Sequence, residues 1–532
     1  MAPQIQVVVL LFVVVAAVGV LAARLQTPAA ILLVLTGVLL ALIPGLPTIE
    51  LAPELVLLIV LPPFIYSSSF RMSWREFRFN LRPIALLAVG CVVFTTVAVA
   101  AAAHWLLNFP WAIGFVLGAI VSPPDAVAPL SIARRLGLPR RILVVLEGEG
   151  LANDATALIL YRFAVAAVSL NAFSIGRAVG TFAAIVVGEI IWGVIVSWVM
   201  LRLRRWAKEP RVELVLAVLT PFLAYWPPEH LGGSGVLATV TAGLYASWNG
   251  QRLISSATRL QGVFFWDFLI YLTEGMIFLL TGLQARVLLE RIGDLSLRQL
   301  VFSAAVISAV VIIARFVWIF PATYLPRWLF PWLRRRDPSP PWQWPFALAF
   351  TGVRGIVSLA AALAIPLTTM SGAPFPGRDQ ILLLTFAVIL VTLVGLGLLL
   401  PSVIRALGLA KAGEREQRED RAEEHAARRQ AMTAAIERLE QVRSERNLSD
   451  DILTPLRARH ATRMEYAEHA GDEDKRQLSR LQLELELLMI VAEREHINAL
   501  FRQGKLKDEA RRRIERELDL REAHLAARAV ED

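Results

Sequence analysis

Long apolar segments alternate with short, arginine-containing connections over the first 410 residues of the chain. A helix that crosses a membrane needs about 20 mostly apolar residues. By this criterion the sequence predicts thirteen spans, at residues 5–23, 27–44, 51–69, 83–104, 111–133, 142–169, 178–200, 212–228, 233–249, 262–285, 299–325, 344–366 and 379–406. The predicted fold class is therefore an all-α polytopic membrane protein.

Charge divides the chain into two predicted domains. Residues 411–532 hold 53 charged side chains among 122, although the whole chain is only 19% charged and 56% hydrophobic. We therefore predict a transmembrane domain over residues 1–410 and a charged, cytoplasmic helical tail over residues 411–532. An apolar stripe along a tail helix is indicated by leucines at alternating steps of three and four residues, Leu478, Leu481, Leu485 and Leu488. The tail either controls transport, packs a dimer or is a solvated appendage.

The composition excludes several classes of protein. A cytosolic enzyme, a disordered protein and a secreted disulfide scaffold do not fit the apolar composition, and the only cysteine is Cys91. No basic and aromatic patch indicates nucleic-acid binding. We expect no enzymatic activity and no cofactor.

The connections carry an uneven charge that sets the orientation. Counted from the N-terminus, alternate connections contain 20 Lys and Arg residues on one side and 5 on the other. Because the positive side of a membrane protein is cytoplasmic, we predict an external N-terminus and a cytoplasmic tail. In a bacterium the protein would lie in the inner membrane.

The fifth predicted span contains a carboxylate surrounded by prolines. Pro123, Pro124 and Pro129 flank Asp125 and remove backbone donors, so they favour a break in the helix. An irregular backbone at membrane depth persists only where protein or a water-filled cavity satisfies its polar groups. Freed carbonyl groups beside a carboxylate favour a site for a hard cation. The alternative is a proline-kinked helix with one structural aspartate.

The sixth predicted span carries four polar residues on two faces. Helical geometry places Glu147 and Asp154 on one face and Glu149 with Asn153 on nearly the opposite one. Each intramembrane charge costs at least about 2.5–3.5 kcal/mol, so these groups face protein or water. One face can direct Asp154 towards a cavity, while the other needs partners inside the bundle. A purely structural polar network is the alternative.

Other ionisable residues at membrane depth are candidate partners. Arg354 is the obvious candidate for pairing with Glu149, whereas Arg315 can tether a carboxylate that no spacing identifies. Glu274 either supports or gates the ion site, or it has a purely structural role. Glu189 and Asp267 lie nearer span ends, where we expect solvated or paired carboxylates.

Three motifs together resemble those of a known family. They are Ser-Pro-Pro-Asp at 122–125, Glu-Gly-Glu-Gly-Leu-Ala-Asn-Asp at 147–154, and Gly-Val-Arg-Gly-Ile-Val-Ser at 352–358. This combination is similar to that of the monovalent cation:proton antiporters, in the branch of the sodium/proton exchangers. The resemblance extends over nearly the whole chain. It implies inverted repeats with broken helices, a core that moves against a dimerisation domain, and a homodimer.

The resemblance also implies roles for particular residues. Asp154 would bind the cation or the proton in turn, and Asp125 with nearby carbonyl groups would complete the site. Asn153 would orient the site, and Glu149 with Arg354 would form a supporting ion pair. The pairing of asparagine with aspartate in this motif implies exchange of one cation for one proton.

Two positions depart from the pattern of the family. Gly150 and Ser67 stand where many relatives carry oxygen ligands, while Glu147, Pro124 and Glu274 keep oxygens near the expected site. The predicted function is antiport of a monovalent cation, with Na⁺ favoured over Li⁺ and K⁺, against H⁺. The alternatives are potassium/proton antiport and a cation channel.

Overall fold

A computed structural model of the chain describes residues 2–44, 51–170, 175–290, 296–369, 372–446, 450, 453–458 and 473–531. Within these ranges the backbone is helical and forms no β-strand, apart from an isolated bridge between Thr368 and Pro374. The chain divides into two compact units, Met1–Glu414 and Arg415–Asp532. The predicted all-α fold class is therefore confirmed for the described residues.

The first half of the larger unit contains both long helices and short segments. The helices are α1 Ala2–Leu25, α2 Ala29–Ala41, α3 Leu61–Arg71, α4 Trp74–Phe79, α5 Leu81–Ala85, α6 Val92–Leu107, α7 Trp111–Val121, α8 Val127–Arg135, α9 Arg140–Leu170 and α10 Ile175–Ala207. Two π-helical turns, Leu55–Val60 and Leu86–Cys91, precede α3 and α6.

The second half has a similar range of helix lengths. The helices are α11 Pro210–His230, α12 Val236–Leu253, α13 Ser256–Glu290, α14 Leu297–Leu329, α15 Pro331–Arg336, α16 Gln343–Phe350, α17 Ile356–Leu363, α18 Arg378–Leu390 and α19 Gly397–Ala406. Helix α20, Leu409–Arg446, begins in the larger unit but belongs mostly to the smaller one. A π-helical turn, Val391–Leu396, joins α18 to α19. The smaller unit also contains helices at 453–458, Glu473–Arg502 and Asp508–Glu531.

Seven of the described helical stretches are long and apolar enough to cross a membrane, and three shorter apolar helices accompany them. All thirteen predicted spans coincide with helical segments, although several of these are short or divided. The chain is thus a multi-pass membrane protein, and the count of thirteen stays a prediction.

Two predicted spans are interrupted near their middle. The fifth divides into α7 and α8 around residues 122–126, and the twelfth divides into α16 and α17 around residues 351–355. The two irregular segments touch, because the Asp125 main-chain N–H donates to the Val353 carbonyl at 2.7 Å. Each break therefore satisfies part of the backbone of the other, as membrane depth requires.

Pro62 and Pro63 do not break the third span in the same way. The chain passes from a π-helical turn directly into α3, whose first turn contains both prolines. The π-helical turn changes the hydrogen-bond spacing just before the prolines, and helical backbone continues through them. Of these two proline pairs, the one beside Asp125 coincides with a loss of helix.

Glycines bring α7 against α6 and so position the first break. A Cβ atom at Gly114 would lie 2.9 Å from the Ala100 carbonyl oxygen, and one at Gly118 would lie 2.4 Å from that of Thr96. Small residues four positions apart allow such close helix contacts within a membrane. The packing of α7 therefore depends on these two glycines.

The predicted apolar stripe of the tail is not part of the internal packing described for the smaller unit. Leu481, Leu485 and Leu488 of the predicted stripe are exposed, and the side chain of Leu478 lies outside the described part. The buried contacts of this unit instead involve Ile490, Leu518 and Leu525, with Leu483, Leu487 and Ile514 packed against them. The helix over Glu473–Arg502 is present, and its described internal contacts lie on a different face from the predicted stripe, whose role stays a prediction.

We expect Gly118→Ala to destabilise the protein, because its new methyl group would overlap the Thr96 carbonyl. Overpacking of this kind costs about 1–3 kcal/mol. Thermal unfolding of the purified protein in detergent measures the effect. Gly188→Ala is the matched control, since a Cβ at Gly188 meets no atom within 4 Å. Equal unfolding temperatures for the two variants would contradict the close helix contact.

Candidate functional site

A cavity of about 310 Å³ lies against both interrupted helices and against α3, α9 and α13. Six of the residues predicted for the site or its surroundings line it, namely Ser67, Pro124, Asp125, Glu147, Asp154 and Glu274. These residues come from four helical regions far apart in the sequence. The fold therefore brings the acidic residues of the predicted site to one cavity.

Asp125 occupies the first helix break. Its Oδ1 accepts the main-chain N–H of Val127 at 2.9 Å, at the start of α8. The carboxylate thus lies at a helix N-terminus, which favours negative charge. On its other side is the second break, where a Cβ atom at Gly355 would lie only 1.7 Å from Oδ2. The absence of a side chain at Gly355 leaves the space in which the Asp125 carboxylate sits.

Asn153 and Asp154 are adjacent on α9 but have different surroundings. Asp154 lines the cavity, whereas Asn153 is fully buried and its Nδ2 donates to the Pro124 carbonyl at 2.6 Å. The amide thereby fixes the backbone next to Asp125. This contact supports the predicted orienting role of Asn153 rather than direct contact with an ion in the cavity.

Arg354 lies in the second break, and its guanidinium satisfies the end of the first half-helix. Nε donates to the Val121 carbonyl at 2.9 Å and Nη2 to the Ser122 carbonyl at 3.2 Å. These carbonyls stand at the C-terminal end of α7, where helical partners are missing and a positive charge is favoured. The main-chain N–H of Arg354 donates to Thr392 Oγ1 at 3.0 Å. Arg354 is thus a structural cap for the broken helix.

The predicted ion pair between Glu149 and Arg354 is wrong. Glu149 is held by Arg315 of α14, with Nη1–Oε1 and Nη2–Oε2 distances of 2.5 and 2.8 Å. Both side chains are only 2% exposed. Arg315 also donates from Nε to the Leu348 carbonyl at 3.1 Å, near the end of α16. Arg354 is occupied by carbonyl groups, so α14 supplies the charge that Glu149 needs.

The two arginines perform matching roles at the two breaks. Arg354 donates to the last carbonyls of α7, and Arg315 donates to a carbonyl near the end of α16. Gly352 lies between them, since a Cβ there would be 2.5 Å from Arg315 Cδ and 3.0 Å from Arg354 Nη1. Sequence reasoning identified Arg315 as a tether, but only the tertiary structure shows which groups it holds.

Ion pairs occur at the rim of the cavity. Glu147 pairs with Arg134, and Arg71 pairs with Asp267 at 2.6 Å. The Arg71 and Arg134 side chains are 43% and 53% exposed, so the cavity reaches the surface on their side of the molecule. Asp267 is thus a paired support, as expected. Because each arginine faces a carboxylate, the rim carries little net positive charge.

Glu189 has a different role from the other acidic residues. It is buried and accepts main-chain N–H groups from Ser234 at 2.7 Å and Leu237 at 3.1 Å. These groups belong to the N-terminal end of α12, where a carboxylate stabilises unpaired donors. Glu189 is therefore a helix cap.

Four hydroxyl groups that line the cavity were missed by sequence reasoning. Ser68, Ser131, Thr273 and Ser358 add oxygen atoms to the wall that also carries Asp125, Asp154 and Glu274. Their patterns resemble those of any serine or threonine in a membrane helix, so no sequence signal identified them. Among the described residues no three His, Cys, Asp or Glu side chains converge as a resident metal site. The acidic groups are instead distributed around the cavity.

Three of the carboxylates that line the cavity are chemically available. None of Asp125, Asp154 and Glu274 forms an ion pair with a described arginine or lysine. A carboxylate in such a confined site favours neutralisation by a proton or by a bound cation. Carboxylate, hydroxyl and carbonyl oxygens are the ligands that hard cations prefer. Broken helices around an acidic cavity define a membrane transporter of ions.

Comparison with known proteins places the chain within that class. Residues 8–406 match the family described as sodium/hydrogen exchanger, transmembrane, and the chain belongs to this family. The predicted resemblance is confirmed.

Relatives and a solved structure agree with this assignment. An uncharacterized Na⁺/H⁺ exchanger of Mycobacterium tuberculosis is 34% identical over 95% of this chain and 93% of its own length. A sodium, potassium, lithium and rubidium/H⁺ antiporter of Bacillus pumilus is 33% identical over 69% of this chain and 56% of its own. The sodium proton antiporter of Methanocaldococcus jannaschii has a similar fold, with a TM-score of 0.61, 19% identity, and coverage of 77% of this chain and 98% of its own.

We expect Glu149 to be energetically coupled to Arg315 more strongly than to Arg354. A double-mutant cycle with Glu149→Gln and Arg315→Gln should give a coupling of roughly 0.5–3 kcal/mol, because each single variant leaves a buried charge unpaired. Thermal unfolding of the purified variants measures it. The parallel cycle with Arg354→Gln is the control, and a larger coupling in that cycle would contradict the observed pairing.

Proposed function

We propose that this protein is a secondary antiporter that exchanges Na⁺ for H⁺ across the cell membrane. The observation that carries the proposal is the placement of Asp125 and Asp154 on one cavity, beside two broken helices. Neither carboxylate has a basic partner among the described residues. Membership of the sodium/hydrogen exchanger family supports it.

The two substrates compete for the same negative charge. Asp154 is neutralised by a proton or by a cation, but hardly by both, because a carboxylate in a dehydrated site needs only one positive charge. Asp125, the Pro124 carbonyl and nearby hydroxyl groups supply further oxygens for the cation. An empty, charged site cannot cross the apolar barrier, so only protonated or cation-loaded states change sides. Exchange of one cation for one proton follows, and it needs no cofactor.

The fold supports alternating access between two halves. Each half of the transmembrane domain contributes one broken helix. In each broken helix an arginine donates to a carbonyl near the end of the first segment, α7 or α16, and this similarity fits the proposed inverted repeat. We propose thirteen spans, an external N-terminus and a cytoplasmic tail, since the arginine-rich connections lie on one side. The cavity reaches the side of Arg71 and Arg134, so this state is open to the cytoplasm. We also propose a homodimer in the bacterial inner membrane.

Sodium is the favoured cation, with lithium and potassium as further substrates. The names of the relatives specify sodium, and the antiporter of Bacillus pumilus also takes potassium, lithium and rubidium by its name. A dedicated potassium/proton antiporter is not favoured. Gly150 and Ser67 line the cavity and supply less oxygen than the residues expected from the family pattern, so they are the positions that would set cation preference.

We expect Asp154→Asn to abolish exchange, because an amide cannot alternate between proton and cation. Everted vesicles with a quenched pH dye measure the exchange as recovery of fluorescence after addition of Na⁺, Li⁺ or K⁺. Recovery should fall to that of vesicles without the protein.

Glu290→Gln is the control for this experiment, because Glu290 is an exposed carboxylate that pairs along its own helix with Arg286 and does not line the cavity. It should retain wild-type exchange. Full activity of Asp154→Asn would show that Asp154 is not the residue that binds the exchanged ions. Recovery that persists when choline replaces the alkali cation would indicate a proton leak instead of antiport.

We expect Gly355→Ala to impair exchange strongly, because its methyl group would displace the Asp125 carboxylate. The same vesicle assay measures the loss. Gly395→Ala is the matched control, since a Cβ at Gly395 meets no atom within 4 Å. Wild-type exchange by Gly355→Ala would show that the position of Asp125 is not required.

A further inference from the structure

Three arginines converge on one aspartate away from the transport cavity. Arg82, Arg141 and Arg327 each approach the carboxylate of Asp337, at 2.8, 2.8 and 2.9 Å. The other guanidinium nitrogens of Arg327 donate to backbone carbonyls. Nε donates to that of Asp337 at 3.2 Å and Nη1 to that of Thr323. Three positive charges therefore face a single negative one, which leaves an excess of two.

A small pocket adjoins this cluster. Its volume is about 50 Å³, and all three arginines line it, together with Pro340 and Trp344. This space accommodates about three to five water-sized groups. Arg82 Nη1 is buried and has no hydrogen-bond partner among the described residues. A buried guanidinium N–H without an acceptor is costly, so an anionic oxygen in this pocket would be favourable.

The pocket lies where apolar helices begin and end. Arg82 is the second residue of α5, Arg141 the second of α9, and Arg327 lies in the last turn of α14. These positions are on the arginine-rich side that we propose is cytoplasmic. Beyond the arginines the pocket wall becomes apolar, with Leu86, Ile319 and Leu348. An acidic headgroup attached to a hydrocarbon chain matches this change from basic to apolar lining.

We propose that the pocket formed by Arg82, Arg141 and Arg327 binds a phosphate group. This chemistry is shared by the headgroup of an anionic phospholipid and by free phosphate. Arginine donors suit phosphate oxygens, and basic pockets between membrane helices on the cytoplasmic side bind acidic headgroups. The apolar wall favours the phospholipid as the source.

Occupation of the pocket would join the helices that carry the transport site. A phosphate would bridge α5 and α9 to α14, and α9 carries Asp154. The same α9 and α14 are connected elsewhere by Glu149 and Arg315. Binding would therefore strengthen one end of an existing helix contact and raise the stability of the folded protein.

The test uses the purified full-length protein in a neutral detergent. Phosphatidylglycerol, phosphatidylcholine and inorganic phosphate are titrated separately, and the rise in unfolding temperature reports binding. Phosphatidylglycerol should stabilise the wild type at much lower concentrations than phosphatidylcholine does. Stabilisation by inorganic phosphate at concentrations as low as those of phosphatidylglycerol would support the site and assign it to a free anion.

Two variants remove the site in different ways. Arg82→Gln removes the unpartnered donor while Asp337 keeps Arg141 and Arg327, and Ala322→Leu fills the pocket while all three arginines remain. Each should weaken the response to phosphatidylglycerol by at least about tenfold, since a charge-assisted hydrogen bond or the space for the ligand is lost. Arg334→Gln, on an exposed arginine nearby in sequence, should respond as the wild type does.

Two results would overturn the proposal. One is equal stabilisation by phosphatidylcholine and phosphatidylglycerol. The other is an unchanged response in both Arg82→Gln and Ala322→Leu. Neither result bears on whether the protein exchanges cations for protons, because the measurement is binding and the residues lie outside the transport cavity.

Discussion

Unpaired backbone groups at the two helix breaks impose the main constraint on this structure. A break inside a membrane protein exposes carbonyls that neither helix nor lipid can satisfy. Arg354 meets this need at the end of α7, and Arg315 meets it near the end of α16. The contact between Asp125 and Val353 joins the two breaks directly. Both irregular segments are therefore held in place by a few strong contacts.

The same contacts determine the charge of the cavity. Because Arg354 is directed to carbonyls and Arg315 to Glu149, neither arginine neutralises Asp125 or Asp154. The positive charges stabilise the walls, while the carboxylates facing the cavity keep their capacity to bind a proton or a cation. Structural support and ion binding thus use separate groups that lie close together. Gly355 completes this separation by leaving room for the carboxylate in the second break.

Sequence alone predicted the acidic residues of the cavity because Asp125 and Asp154 stand out in apolar surroundings, with prolines or polar residues beside them. It did not predict the partner of Glu149, since pairing depends on which distant helix approaches, and Arg354 and Arg315 are equally plausible by residue type. In the smaller unit the predicted stripe residue Leu481 is exposed, whereas Leu483, which the spacing did not indicate, contributes to internal packing. Residue type and spacing identify buried charges, but tertiary contacts determine which residue each of them pairs with.

The buried pair of Glu149 and Arg315 also constrains how the chain is made. The two residues are 166 positions apart, so α9 leaves the ribosome long before α14 exists. At a synthesis rate of about 5–20 residues per second, Glu149 precedes its partner by roughly 8–33 seconds. During that interval a charged carboxylate in lipid would be strongly disfavoured. Biogenesis must therefore keep α9 in a hydrated or protein-lined environment, or carry Glu149 in its protonated form, until the second half of the chain is inserted.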